Sequence, residues 1–200
     1  KNNLKNYAHL SYMGPHDNLI KNFYRNWLKK KPKLSSITSY LYWIFFSKKV
    51  FVPPQRSQVL LYDAGLKNSI ENYIREWKPE ILHTRGELLN IYVLFRSFFR
   101  KGEKKFMNYV DEYVDLVKPS IIITMIDNDP DFYSISSRHE KIKTLFIQNA
   151  YRGETSFGDR AIEKLKSSRH KLKVDYMCVH GEMPGDTYKT FIEGSTIHIG

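Results

Sequence analysis

An apolar, β-branched run reads SIIITMI and spans residues 120–126. Ile and Thr are common in strands, and a continuous apolar run without polar alternation is typical of a strand that is buried on both faces. Such strands occur in parallel sheets whose two faces are covered by helices. We therefore expect residues 120–126 to form a central strand of a parallel sheet.

The sequence on both sides of this run alternates between short apolar segments and amphipathic segments. Further strands are predicted at residues 59–62, 81–82, 144–148, 174–179 and 196–199, and helices at residues 69–77, 88–99, 106–117, 132–138, 159–167 and 186–191. This alternation is typical of βαβ units. It predicts an α/β fold with a Rossmann-like, doubly wound, mainly parallel sheet.

The positive charge of the chain is concentrated at its N-terminal end. Residues 1–56 carry 11 Lys and Arg but one acidic residue, whereas residues 57–200 carry 21 basic and 20 acidic residues. Two prolines, Pro53 and Pro54, interrupt regular structure just before the strand predicted at 59–62. We predict two parts: a basic, aromatic-rich helical leader and linker at 1–56, and a Rossmann-like domain at 57–200.

The leader combines lysines with aromatic residues. A cationic cluster at residues 29–33 precedes the run YLYWIFF at 40–46 and a further Lys pair at 48 and 49. Residues 29–49 are thus a candidate for peripheral contact with an anionic membrane. The alternative is that these aromatics pack against the domain or a partner. Nucleic-acid binding is the least favoured reading, because no recognised nucleic-acid-binding signature accompanies the basic residues.

Composition excludes several classes of protein. The single cysteine, Cys178, cannot form an intramolecular disulfide or a Cys-x-x-Cys redox pair. The apolar run at 40–46 is shorter than the ~20 residues needed to span a bilayer. The sequence therefore favours a cytoplasmic protein, with the inner face of the membrane as the place where the leader would act.

Polar residues follow five of the predicted strands. They lie at residues 63–65, 83–87, 127–131, 148–153 and 180–182. In an open parallel sheet, ligands bind at the carboxyl ends of the strands. This edge of the sheet is therefore the predicted site.

Each cluster also has a purely structural interpretation. Residues 63–65 could form an ordinary turn, and Glu87 could complement the dipole of a helix that starts there. Asp129 or Asp131 is expected to cap a helix with Pro130 at its first position, which leaves Asp127 and Asn128 for function. Residues 148–152 could bind a ligand or stabilise a turn.

The same residues resemble a known family. In order along residues 58–200, the chain resembles bacterial surface carbohydrate biosynthesis transferases, which are similar to two-domain GT-B glycosyltransferases. The resemblance rests on LLYD at 60–63, HTRGE at 83–87, ITMIDND at 123–129, FIQN at 146–149 and IHIG at 197–200. It implies that the chain is the N-terminal, acceptor-side half of such an enzyme, without most of the donor-binding half.

The resemblance also implies roles for the strand-end residues. Asp127 is the first choice for the catalytic carboxylate, and Glu87 is the second. His83, Arg85 and Arg152 would bind an anionic sugar or phosphate, while Asn128, Gln148 and Asn149 would hold hydroxyl groups. The substrates would be a nucleotide sugar and a glycan or lipid-linked acceptor.

Two further expectations concern cofactors and the alternative function. No permanently bound cofactor is expected, and no metal site, because Asp127-Asn128-Asp129 matches a metal-binding Asp-x-Asp motif by its letters only. The alternative function is a non-catalytic Rossmann-like module that binds an anionic glycan or a partner protein.

Overall fold

The computed structural model describes residues 43–101, 105–149, 165 and 171–199. Tertiary contacts divide the chain into two compact units, residues 1–46 and residues 47–200. Of the first unit, only residues 43–46 are described, and these four are helical. The second unit begins at Ser47, so it includes a strand from the segment predicted to be the leader and linker.

Eight strands are present in the described part of the second unit. They are β1 (Lys48–Val50), β2 (Val59–Tyr62), β3 (Glu80–Leu82), β4 (Leu88–Asn90), β5 (Ile121–Thr124), β6 (Lys143–Ile147), β7 (Lys173–Val179) and β8 (Glu193–His198). Six of them form a sheet in the order β3-β2-β5-β6-β7-β8, and every pair in it is parallel. Because β5 lies between β2 and β6, the prediction of a central strand is confirmed.

Helices alternate with these strands. They are α1 (Lys67–Ile74), α2 (Ile91–Ser97), α3 (Lys105–Val117), α4 (Pro130–Tyr133), α5 (Ile135–Arg138) and α6 (Glu182–Lys189). The helix predicted at 132–138 is split into α4 and α5, and the helix predicted at 159–167 falls outside the described residues except for Leu165. Among the helices described, none has both the length and the apolarity needed to cross a bilayer.

Both faces of the six-stranded sheet are covered. On one face, Val59, Leu61 and Ile123 pack with Ile70 and Ile74 of α1. The opposite face carries a series of aromatic edge-to-face contacts, which runs through Tyr62, Phe132, Tyr133, Phe146 and Tyr188 with ring centroids 5.2 to 6.1 Å apart. The chain is therefore an α/β protein with a six-stranded parallel sheet, consistent with a Rossmann-like fold.

The helix predicted over residues 88–99 is confirmed at Ile91–Ser97 but wrong at its N-terminal end. Residues 88–90 form β4, which pairs in parallel with β1 in a separate two-stranded sheet, and α2 begins only at Ile91. The side chain of Asn90 marks the change, because its Oδ1 accepts a hydrogen bond from Val93 N (3.1 Å) and its Nδ2 donates to Val52 O (2.9 Å). The strand depends on a partner some forty residues earlier in the chain, and local periodicity does not reveal such a partner.

The buried carboxylate of Glu112 on α3 pairs with two partly exposed arginines, one on α2 and one just after it. Arg96 Nε lies 2.5 Å from Glu112 Oε1, and Arg100 Nη1 lies 2.9 Å from Glu112 Oε2. Burial opposes ionisation of the Glu112 carboxyl, but the hydrogen bonds from the two guanidinium groups outweigh it and lower the pKa. The ionised carboxylate therefore favours the folded state.

We expect Glu112→Gln to reduce the free energy of unfolding by about 1–2 kcal/mol at pH 7, because Arg96 is half-exposed and solvent weakens its pair. The folded-state pKa lies below the ordinary value of 4.5, so the contribution is complete above that value and is lost as the pH falls through the lower folded-state pKa. Urea denaturation at pH 7 and at about pH 3 measures this difference. The exposed carboxylate of Glu76 provides the control, Glu76→Gln, and an equal loss at both pH values would contradict the assignment.

Candidate functional site

The order of the strands defines one crevice in the sheet. The chain passes from β2 to β3 in one direction and then returns to place β5 on the other side of β2. In open parallel sheets, ligands bind outside the carboxyl ends of the strands at the point where the order reverses. Here that point lies between β2 and β5, which are followed by Asp63 and Asp127.

Asp63 is held in a strained backbone conformation at this point. Its φ is 111°, a value that side-chain-bearing residues rarely adopt. The buried carboxylate accepts a hydrogen bond from Gly65 N at Oδ1 (2.6 Å) and forms an ion pair with Arg85 Nε at Oδ2. Strain of this kind costs about 1–3 kcal/mol and is concentrated at functional sites.

The loop after β3 contains buried polar atoms without hydrogen-bond partners among the described residues. These atoms are His83 Nδ1 and Thr84 Oγ1. The nearest carboxylate to the His83 ring is that of Glu87, with Oε2 3.9 Å from Nδ1. Burial lowers the pKa of His83, although the negative charges of Glu87 and Asp63 act in the opposite direction. The imidazole is therefore neutral at pH 7.

The position of Glu87 differs from the one expected. It was predicted at a helix start, but it directly precedes β4, and its backbone carbonyl accepts a hydrogen bond from Lys48 N (3.2 Å). Complementation of a helix dipole is therefore wrong as an explanation for this residue. Gly86, just before it, has a φ of 82°, which allows the loop to turn back into β4.

The carboxyl end of β5 is organised by Asp127 and Asp129. Asp127 is buried, and its backbone carbonyl accepts a hydrogen bond from the Tyr133 hydroxyl (3.3 Å). Asp129 Oδ1 accepts from Asp131 N (3.0 Å), so Asp129 caps α4 with Pro130 at the first helical position. The expected cap is thus confirmed at Asp129, whose Oδ2 also accepts from the Tyr62 hydroxyl (3.1 Å).

The remaining predicted residues lie further along the edge. Gln148 is buried, and its Oε1 accepts a hydrogen bond from His180 N (2.8 Å), which joins the ends of β6 and β7. Asn128 and Asn149 are exposed at the ends of β5 and β6. Arg152 lies outside the described residues.

The structure thus brings some of the predicted site residues together and leaves others further along the edge. An ion pair connects Arg85 to Asp63, and the neutral His83 ring lies near the Glu87 carboxylate, while Asp127 and Asn128 lie after the neighbouring β5. Asp63 and Thr84 were given no role from the sequence alone. For Asp63 the missing information is its pairing with Arg85 across two strands, which no local pattern shows.

The side chains at this edge can form hydrogen bonds and transfer protons. In the described ranges, no group of three or more His, Cys, Asp or Glu side chains is arranged to hold a metal ion. The carboxylates can accept protons, and the Thr84 hydroxyl, the His83 ring and the Arg85 guanidinium can bind hydroxyl or carbonyl oxygens. Comparison with protein-family models, with curated proteins and with solved structures found no match to this chain.

Proposed function

We propose that this chain is the acceptor-side part of a GT-B-like glycosyltransferase that acts in the synthesis of a bacterial surface polysaccharide. The enzyme would transfer a sugar from a nucleotide-activated donor to a glycan or lipid-linked acceptor. The observation that supports this proposal most directly is the grouping of strained Asp63, Arg85 and His83 beside buried Asp127 at the reversal point of the parallel sheet. The resemblance of the strand-end segments to surface carbohydrate transferases adds to it.

In this proposal Asp127 acts as the general base. Its carboxylate would take the proton of the attacking acceptor hydroxyl while the new bond from that oxygen to the anomeric carbon forms. The bond from the anomeric carbon to the donor phosphate breaks at the same centre, and its electron pair leaves with the nucleotide. Glu87 is the second candidate for this role, and it is more exposed than Asp127.

The surrounding residues would orient the acceptor. His83, Thr84 and Arg85 present polar atoms on the loop after β3, and Asn128 and Asn149 lie exposed further along the edge. The roles of Gln148 and Arg152 as ligand-binding residues stay predictions. Gln148 Oε1 already accepts from His180 N, which gives this side chain a structural function as well.

The test is a transfer assay on the protein encoded by the complete reading frame. A panel of nucleotide sugars is incubated with membrane-derived glycan acceptors, and both released nucleotide and extended glycan are measured. Stoichiometric formation of the two products supports the proposal. Binding of a glycan without release of nucleotide from any donor would instead favour a non-catalytic binding module.

The proposal includes docking on the cytoplasmic leaflet, where lipid-linked acceptors are found. Large apolar side chains of the leader are exposed in each unit: Phe45 and Phe46 in the first unit, and Phe51 and Val52 in the second, are 41 to 70% exposed. We expect the chain to float with anionic liposomes, and we expect this flotation to be lost when Lys29, Lys30 and Lys31 are replaced by Gln. Each lysine close to an anionic membrane surface adds about 1 kcal/mol to binding.

The matched control for flotation replaces three lysines of the nearly neutral domain: Lys101, Lys118 and Lys141, all exposed. This control protein should float like the parent. Equal flotation of both triple variants, or binding to uncharged liposomes as strong as to anionic ones, would refute docking through the leader.

A further inference from the structure

The loop after β3 and the end of β2 carry more negative than positive charge. Asp63 and Glu87 contribute two carboxylates, Arg85 contributes one guanidinium, and the His83 imidazole is neutral at pH 7 because burial lowers its pKa. On this loop and at the end of β2 the carboxylates therefore outnumber the guanidinium, which disfavours an anionic ligand between them.

The guanidinium of Arg85 is already neutralised by a buried partner. Its Nε forms an ion pair with Asp63 Oδ2, and the Asp63 carboxylate is fixed at its other oxygen by Gly65 N (2.6 Å). The Arg85 side chain is 35% exposed, and within the described residues Asp63 is its one ionic partner. The two terminal nitrogens of Arg85 can therefore still donate hydrogen bonds to a ligand, but the group brings no uncompensated charge to it.

The uncommitted polar atoms suit a ligand that both donates and accepts hydrogen bonds. Thr84 Oγ1 and His83 Nδ1 are buried without hydrogen-bond partners among the described residues. A buried polar atom that stays unpaired costs about 1–3 kcal/mol, so a ligand that pairs both atoms gains that energy. A hydroxyl donates one hydrogen bond and accepts two, whereas an ionised phosphate oxygen only accepts.

We propose that Asp63 and the loop 83–87 bind an uncharged vicinal diol, that of a neutral saccharide or of a ribose, in preference to a phosphate or carboxylate group. This inference deepens the proposed function by naming the class of substrate at the same site. It differs from the expectation, taken from the resemblance, that His83 and Arg85 bind an anionic group. The two adjacent hydroxyls would pair with Thr84 Oγ1, His83 Nδ1 and the terminal nitrogens of Arg85.

The experiment is a two-dimensional ¹H–¹⁵N NMR titration of the 200-residue chain. The probes are neutral methyl hexosides of gluco, galacto and manno configuration, uridine as a ribose diol, the matching hexose phosphates, and inorganic phosphate. We expect saturable shifts of the amides of Gly65, Thr84 and Gly86 with a neutral probe, and binding at least about tenfold weaker for its phosphorylated counterpart. Comparing the hexosides with uridine shows whether the bound diol is that of a saccharide or that of a ribose.

Two variants test the contacts. Thr84→Val keeps the shape of the side chain but removes the hydroxyl, and we expect it to weaken diol binding about fivefold or more. Arg85→Gln should weaken diol binding as well. If that variant does not fold because Asp63 loses its partner, the result with Thr84→Val alone tests the contacts. Arg75→Gln changes an exposed arginine that directly follows α1 and bonds to Asn72, and it should leave the titration unchanged.

Two results would overturn the inference. One is that phosphate or a hexose phosphate shifts the three amides at a lower concentration than every neutral probe. The other is that no neutral probe gives a saturable shift at these amides. The binding readout needs no catalysis, so diol binding without sugar transfer would count against the proposed function alone, and transfer with preferred phosphate binding at this loop would count against this inference alone.

Discussion

In the proposed glycosyltransferase, replacing Asp127 by Asn is expected to lower kcat about 10²- to 10⁴-fold while changing KM little. Asparagine keeps the shape of the side chain but cannot accept a proton from the acceptor hydroxyl. The backbone carbonyl of Asp127, which accepts from the Tyr133 hydroxyl, is unaffected by this substitution. The loss should therefore appear in the chemical step rather than in acceptor binding.

The measurement is steady-state transfer with the donor and acceptor identified in the panel assay. Glu87→Gln tests the second candidate under the same conditions. As a control, Glu76→Gln removes an exposed carboxylate that precedes β3, whereas the candidate residues follow the strands. If Asp127→Asn retains near-normal turnover and Glu87→Gln does not, the base is Glu87. If all three variants turn over normally, neither carboxylate is the base.

The fold was predictable where the pattern of apolar side chains within one strand or helix matches the burial of those side chains. The predicted strand at 59–62 matches β2 residue for residue, and the helix predicted at 106–117 matches α3 except that α3 starts one residue earlier. Both features follow from side-chain periodicity within one element. The short β4 was misread as the start of a helix, because its three residues form a strand only by pairing with β1.

The site was predictable in position but only partly in detail. Strand ends in a parallel sheet share one edge, so the sequence indicated where Asp127 and the loop 83–87 would lie. The pairing of Asp63 with Arg85, and of Tyr62 with Asp129, depends on which strands are neighbours, and these residues are 22 and 67 positions apart. Charge compensation of Arg85 is therefore invisible in the sequence, although it changes the class of ligand that the loop favours.

Replacing Gly194 by Ala is expected to lower the free energy of unfolding by about 3 kcal/mol. A Cβ at this position would lie 2.2 Å from the backbone oxygen of Val174. The register between β7 and β8 shifts here, with one extra residue on β7 between the pairs Lys173–Glu193 and Tyr176–Ser195. Because the obstructing atom belongs to the backbone, the two strands must separate to admit a methyl group.

Gly185→Ala provides the matched control for this prediction. A Cβ there would lie 3.3 to 3.4 Å from side-chain atoms of Val179, Thr196 and His198, which can adjust, and Ala is favoured over Gly inside a helix. We expect its unfolding free energy to stay within about 1 kcal/mol of the parent in urea denaturation. An equal loss in both variants would mean that the tight approach of β8 to Val174 is not what limits stability.

Because of the position of Gly194, the substitution should change the stability of the fold without changing diol binding at the loop 83–87. β8 and β3 are the two outermost strands of the described sheet, so the strain at Gly194 is introduced at the edge furthest from the loop 83–87. Below its unfolding transition, Gly194→Ala should therefore keep the diol-induced shifts of the Gly65, Thr84 and Gly86 amides. If it lost them while still folded, the shape of the loop would depend on the whole sheet rather than on the local Asp63–Arg85 pair.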